Sequence, residues 1–329
     1  MEFTQEVRKA TDPIYQKISK VMPEIEWSIH APYIHKINKL KKEKNAVILA
    51  HNYQTPEIYH GVADFSEDSL ALAIEASKTS ADIILMAGVH FMAETAKLMS
   101  PDKKVILPDM DAGCSLSSSI TGKDVRLLKE KYPGVPVVSY VNTSAEVKAE
   151  TDVCCTSANA VKIVKSLGVK RVIFLPDDYL AKYVASQTDV EIISWKGICI
   201  VHDQFNKKEI DDIRKNNPGI KIIAHPECPP DVIEASDFAG STSGMIKYVK
   251  DNQPKKVMMV TECSMSDNIQ IENPNVDFVK PCNMCPHKKK ITLPKILECL
   301  ENETGEIIMD KETIDKARIS VERMAAIGR

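Results

Sequence analysis

The chain has 329 residues, a formal net charge of −3 and 43% hydrophobic residues. That charge leaves no electrostatic footprint for nucleic acid or an anionic membrane, and the basic run Lys288-Lys289-Lys290 is too short to supply one. No apolar run approaches the ~18 residues needed to span a bilayer, and the first residues lack a basic-then-apolar leader, so a cytoplasmic protein is expected.

Residues 1–33 are expected to form a helical extension. From residue 34 the chain reads helix-strand-helix-strand-helix-strand three times over. A charged amphipathic helix (34–44, 123–132, 208–216) leads each time into an apolar run with a polar end: Ala46 to His51 and Tyr53, Pro136 to Tyr140 and Asn142, Ile220 to His225 and Glu227. The tips His51, Tyr140 and His225 are 89 and 85 positions apart. Asp68-Ser69, Thr156-Ser157 and Thr242-Ser243 follow, each expected to open a helix, their serines 88 and 86 positions apart. Strands are then expected over 82–87, 171–175 and 256–260, and again over 104–107, 191–195 and 276–279. Each unit closes on a cysteine, Cys114, Cys199 and Cys285, separated by 85 and 86 positions.

Five landmarks at one period divide the chain into units 34–122, 123–207 and 208–292, followed by a C-terminal helical segment, 293–329. Within that segment 312–325 reads as a helix packed on one of the units. Length alone suggests about two domains, but the repeat sets three. The expected fold is α/β: three pseudo-threefold-related units with parallel sheets covered by helices.

Nine cysteines, an odd number, favour metal binding or catalysis over a disulfide framework. Three in-phase thiolates suit zinc or an iron–sulfur cluster, and three protein ligands leave one position open to water or substrate. Cys282 and Cys285 form a C-x-x-C pair, which competes as a redox pair or half a zinc site. Cys154, Cys155, Cys228, Cys263 and Cys299 read as small buried hydrophobes. The helix openings and strand tips lie where parallel α/β sheets bind ligands, beyond the carboxyl ends of the strands. Capping alone explains one Ser or Thr at a helix start. Three in phase behind polar tips point to a shared anion-binding cavity.

Specific runs carry a resemblance: Ala50-His-Asn-Tyr-Gln54, Asp68-Ser-Leu-Ala-Leu72, Gly88-Val-His-Phe-Met-Ala-Glu-Thr-Ala-Lys97, Tyr140-Val-Asn142, Asp152-Val-Cys-Cys-Thr-Ser157, His225-Pro-Glu-Cys228, Gly240-Ser-Thr-Ser-Gly-Met245 and Thr261-Glu262. Across about residues 33–300 the chain resembles the quinolinate synthase family. The resemblance implies a pseudo-threefold α/β assembly around a central active site and a [4Fe–4S] cluster with three cysteine ligands and one open iron. It also implies condensation of iminoaspartate with dihydroxyacetone phosphate to quinolinate, in NAD biosynthesis. A separate enzyme that produces iminoaspartate is an expected partner. By motif, Cys114, Cys199 and Cys285 are similar to the cluster ligands. The chain departs from the family in that Asn283-Met284 precedes Cys285 and Pro286-His287-Lys288 follows it; the run to Leu293 and the repeat spacing favour Cys285 over Cys282. Glu227 is then the expected acid/base. Tyr53 and Tyr140 are expected as hydroxyls near the substrate, and His51 and His225 as donors to phosphate or carboxylate. Asn142, Ser69, Ser157 and Thr242 are expected to bind anions or product. The alternatives are a zinc-dependent aldolase or lyase on the same thiolates, or a non-enzymatic iron–sulfur sensor.

Overall fold

Runs such as Val47-Ile-Leu-Ala50, Val172-Ile-Phe-Leu175 and Val257-Met-Met-Val260 are buried throughout. Unbroken burial is the mark of a parallel sheet covered on both faces. The computed structural model describes residues 1–280 and 283–328. It contains three four-stranded sheets, every pairing parallel. The first holds β1 (Ala46–His51), β2 (Phe65–Glu67), β3 (Ile83–Ala87) and β4 (Lys104–Ile106). The second holds β5 (Val137–Tyr140), β6 (Val153–Cys155), β7 (Arg171–Leu175) and β8 (Glu191–Ser194), and the third β9 (Lys221–Ala224), β10 (Phe238–Ala239), β11 (Lys256–Val260) and β12 (Asp277–Val279). All three sheets have one order, with the second strand of the unit outside the first and the third and fourth on its other side: β2-β1-β3-β4, β6-β5-β7-β8 and β10-β9-β11-β12.

The expected α/β repeat is therefore present, with one strand more per unit than the sequence pattern predicted. The additional strands β2, β6 and β10 have only two or three residues, too few to show a period. An aspartate holds each of them in place. Asp64, Asp152 and Asp237 donate their amides to the carbonyls of Ile48, Val137 and Ile222 at 2.9, 3.1 and 2.8 Å. Their carboxylates accept from the amides of the same three residues at 2.9, 2.8 and 2.9 Å.

By internal packing the chain forms two units, one of Met1–Ala112, Cys263–Pro274 and Met284–Ile308, the other of Gly113–Glu262, Asn275–Asn283 and Met309–Arg329. The first contains the β1–β4 sheet and the N-terminal helices Gln5–Ile18 and Glu24–Glu43. The second contains the other two sheets. Beside β5 and β7 its core gathers Ile120, Val125, Val137, Val147, Ile173 and Leu175. Beside β9 and β11 it gathers Phe205, Ile210, Ile222, Val232, Met258 and Val260. Each such side chain contributes about 1.5–3 kcal/mol by leaving water. The terminal helix, Lys311–Ile327, packs on helix Ala145–Ala149 and β6 of the second repeat as expected, with the Ser320 hydroxyl donating to the Lys148 carbonyl at 3.0 Å.

One glycine is dictated by close approach. A Cβ on Gly197 would stand 2.5 Å from the Pro176 carbonyl oxygen and 2.6 Å from Ser119 Oγ. That closeness lets Gly197 pair with Asp177, its amide donating to Pro176 O at 3.0 Å and its carbonyl accepting from the Asp178 amide at 2.9 Å. The loop carrying Cys199 is thus fastened to the tip of β7. Gly197→Ala should lower unfolding free energy by about 1–3 kcal/mol, the usual cost of overpacking, as measured by urea denaturation.

Candidate functional site

The three cysteines share one local structure. Each lies three residues ahead of a short 3-10 turn, Ser117–Ser119, His202–Gln204 or Lys288–Lys290. Each accepts at its carbonyl from the amide four residues on, Ser118, Asp203 or Lys289, at 3.0, 3.0 and 3.1 Å. Cys285 occupies the repeated position; Cys282 lies outside the described residues. The described cysteines form no disulfide. Cys114, Cys199, Cys263 and Cys285 are half-buried, whereas Cys154, Cys155, Cys228 and Cys299 are buried. Cys263, expected in the core, is thus a correction: it opens helix Cys263–Glu272, where the chain has left β11.

Within the second unit, Ser115 joins two of these turns. Its hydroxyl donates to the Ile198 carbonyl at 3.0 Å and accepts from the Ile200 amide at 3.2 Å, gripping the backbone on both sides of Cys199 from the residue next to Cys114. Burial first, then the Glu227 carboxylate and Cys114, push the Cys199 thiol well above its usual range. Such a thiol ionises readily only when a cation offsets the charge.

Glu227 is the centre of that unit's polar cluster and is buried. The Tyr140 hydroxyl, at the tip of β5, donates to Oε1 at 2.5 Å, and His202 Nδ1 meets Oε2 at 2.8 Å. His202 Nδ1 is also 3.2 Å from Cys199 Sγ, while its Nε2 is 2.9 Å from Thr261 Oγ1. The His202 ring stacks on His225, centroids 4.8 Å apart. His225 Nδ1 accepts the Glu227 amide at 3.4 Å, which leaves the ring proton on Nε2, 3.1 Å from Ser157 Oγ. Burial alone would raise the Glu227 carboxyl, but the His225 and His202 rings and the Tyr140 hydroxyl outweigh it and hold the group ionised. Asp177 shows the opposite balance: burial, then Glu227, push it well up, while its Oδ1 caps helix Asp178–Ser186. The two carboxyls are thus driven in opposite directions.

The first unit repeats part of the device. The Tyr53 amide donates to His51 Nδ1 at 3.2 Å, as the Glu227 amide does to His225, and the two rings meet edge to face at 4.7 Å. The Lys288 ammonium lies 5.0 Å from the Tyr53 ring centroid, and Lys289 donates to the Tyr53 carbonyl at 3.1 Å and to Ser264 Oγ at 2.6 Å. The turn after Cys285 is thereby tied to the Tyr53 loop.

A family model described as Quinolinate synthetase A protein matches residues 35–326. The chain is 60% identical over 324 residues to a quinolinate synthase of Sinorhizobium fredii, covering 98% of this chain and 90% of the relative. It is 56% identical over 326 residues to that of Caulobacter vibrioides, covering 98% and 89%. A third relative, quinolinate synthase 2 of Mesorhizobium japonicum, is 56% identical over 95% of this chain and 97% of its own. The chain belongs to the quinolinate synthase family. It is an enzyme of that family, and among the described residues no helix is long and apolar enough to cross a membrane.

In this chain the second unit brings together Tyr140, Ser157, His225, Glu227 and Cys199, and the first unit brings together His51 and Tyr53. Asn142 is half-buried in the turn after β5. The second member of each i, i+2 pair lies beyond its strand and not along it, because the chain turns there; at two of the three tips the turn is closed on an imidazole. The helix openings are corrected at one position. Ser69 and Thr242 are the first residues of their helices, but the helix expected at Thr156-Ser157 starts at Ala160, because Asn159 turns its Oδ1 back to the Thr156 amide at 2.8 Å. Asp68 and Ser241 do the capping of the other two, accepting from Ala71 and Gly244 at 3.0 and 3.2 Å. None of the three in-phase hydroxyls Ser69, Ser157 and Thr242 is a capping residue.

His202 and Thr261 carried no assigned role in the sequence. The spacing Cys199-x-x-His202 was the available signal, since neighbours three apart on a helical turn share a face. Removing the His202 ring leaves Oε2 of a buried carboxylate without its donor. Loss of one partner of a buried pair costs about 3–5 kcal/mol, so His202→Ala should lose that much in denaturant unfolding of the metal-free chain. A loss under about 1 kcal/mol would mean that Glu227 is not held as a buried charge.

Proposed function

We propose that the chain condenses iminoaspartate with dihydroxyacetone phosphate to quinolinate, losing phosphate and water, with Glu227 as its principal acid/base. The observation that carries this is the buried Glu227 carboxylate, bonded by the Tyr140 hydroxyl and His202 and adjoining the Cys199 thiol. Ring closure from these substrates needs enolisation and dehydration, hence proton transfers at several oxygens and carbons. Glu227 accepts a proton and returns it through the Tyr140 hydroxyl. Thr261, His202 and Glu227 form a hydrogen-bonded chain: with Nδ1–H on the carboxylate, Nε2 accepts from the Thr261 hydroxyl, which fixes the ring beside Glu227 in one tautomer.

The Nδ1 atoms of His51 and His225 accept backbone amides, which leaves the ring proton on Nε2, that of His225 beside Ser157 Oγ, and suits both rings to donate to substrate phosphate or carboxylate. Tyr53 presents a hydroxyl to the substrate, and Asn142, Ser69, Ser157 and Thr242 bind anionic groups of substrate and product. A separate enzyme supplies iminoaspartate, and the chain works in the cytoplasm.

The thiols fit the family's cluster. They are half-buried, they repeat one backbone turn, and Ser115 fixes two of them. Cys114, Cys199 and Cys285 would hold a [4Fe–4S] cluster, which when bound supplies a Lewis-acidic iron with an open position for a substrate oxygen. The same donor set suits zinc, the aldolase reading, and an enclosed electron carrier would need a fourth thiolate. Iron and sulfide analysis of anaerobically purified protein separates zinc from the two iron–sulfur readings, and turnover of iminoaspartate with dihydroxyacetone phosphate separates those two.

Replacing Cys114, Cys199 or Cys285 by Ser should lose most of the iron, and Cys154→Ser should lose none. Full iron in Cys285→Ser with loss in Cys282→Ser would transfer the third ligand to Cys282. Glu227→Gln should keep its iron and lower turnover by ~10²-fold or more, the scale of a general acid/base. Turnover within a few-fold of the parent would remove Glu227 from the mechanism.

A further inference from the structure

We propose that Cys199, His202 and Glu227 form a second metal site, for a single zinc-class divalent ion, whose occupancy excludes the cluster. The proposal rests on the reading of Cys199 as a cluster ligand. The three ligand atoms lie within 4.8 Å of one another, His202 and Glu227 are buried, and Cys199 is half-buried. His202 Nδ1 stands between the other two, 3.2 Å from Sγ and 2.8 Å from Oε2. Donors of a tetrahedral zinc, with bonds of about 2.0–2.3 Å, are separated by about 3.3–3.7 Å. The two separations from Nδ1 are therefore within about half an ångström of those in a tetrahedral site, and Sγ and Oε2, within 4.8 Å of each other, need only a side-chain adjustment to close on the ion.

The donor set is specific in kind. Thiolate and imidazole suit zinc and cobalt and disfavour magnesium and calcium, which take oxygen. A thiolate and a carboxylate neutralise a divalent ion, and three protein ligands leave a fourth position for water. The orienting contact is already present: with the metal on Nδ1, the proton moves to Nε2 and is donated to Thr261 Oγ1, 2.9 Å away, the outer hydrogen bond that metal-bound histidines require.

One Sγ cannot serve both groups. A zinc ion here removes a cluster ligand and at the same time occupies the acid/base carboxylate and its histidine. Zinc is then a competitor of cluster assembly, captured by the chain between folding and cluster insertion.

The test uses the full-length, tag-free chain stripped of cluster by chelation without oxygen, titrated with Zn²⁺ against a chromophoric chelator. Co²⁺ serves as a second probe, because its thiolate charge-transfer band reports sulfur ligation. One equivalent should bind with a single-thiolate band, and the zinc-loaded chain should resist reconstitution with iron and sulfide. His202→Ala, Cys199→Ser and Glu227→Gln should each weaken zinc by at least about 100-fold, and Thr261→Val by about 10-fold, the effect of losing an outer partner. Circular dichroism of each variant confirms the fold. Cys285→Ser, which should lose the cluster, should bind zinc as the parent does. Zinc retained in His202→Ala and Glu227→Gln but lost in Cys285→Ser would overturn the proposal and place the ion on the cluster thiols. Zinc lost in Cys199→Ser while iron remains full would uphold the site and instead remove Cys199 from the cluster.

Discussion

A carboxylate buried away from water is tolerated only where fixed donors replace its hydration, and Glu227 imposes that demand on the second unit. Its donors come from separate stretches: Tyr140 from the tip of β5, and His202 from the turn that follows β8. His225 stacks on His202 and reaches Ser157, while Thr261, just after β11, meets the far side of His202. The second and third repeats therefore meet through one satisfied charge. Its satisfaction requires both to be in register, and the Cys199 thiol is drawn into the same cluster by three residues of chain.

The threefold architecture was legible in the sequence because it is written in repeated backbone demands. Apolar runs buried on both faces recur at a constant interval, as do the cysteines. Another mark of the repeat is equally periodic: Asp64, Asp152 and Asp237, 88 and 85 positions apart, staple the short strands β2, β6 and β10 to their neighbours. Those strands were not foreseen, since two or three residues have no period. An aspartate at such a spacing reads as surface until its carboxylate is seen to accept a strand amide. The helix Ala160–Ser166 starts later than the sequence suggests for a related reason: Thr, Ser and Asn are all capping residues, and only the structure shows Asn159 Oδ1 accepting from the Thr156 amide and holding 156–159 as a turn ahead of the helix.

Part of the site was legible by the same periodicity. Tyr140, His225, Glu227 and Ser157 stand at strand tips and in loops beyond them, and their recurrence with changing polar identity marked them out. His202 and Thr261 were not found, because they are where the repeat is broken. Three residues after each cysteine the chain carries Ser117, His202 and Lys288, on the same 3-10 turn and behind the same carbonyl-to-amide bond. Periodicity identifies what the units hold in common. It is silent on a residue whose importance lies in having no counterpart.

That asymmetry has a physical reason. Three turns of one backbone form carry three cysteines, and that shared form distinguishes no direction for proton transfer. At the second turn the residue is an imidazole, able to carry a proton or a metal ion on the same nitrogen, with a carboxylate 2.8 Å away on that side and a hydroxyl 2.9 Å away on the other. At the first turn it is a serine, and at the third a lysine whose ammonium faces the Tyr53 ring. The repeat places the thiols, and its departures from symmetry set a different side chain beside each of them. The imidazole that makes the second turn reactive also makes it the one where a stray divalent ion finds nitrogen and oxygen beside the sulfur. Reactivity toward protons and vulnerability to zinc share His202 and Glu227, while the third zinc donor, Cys199, is one that the cluster would need as well.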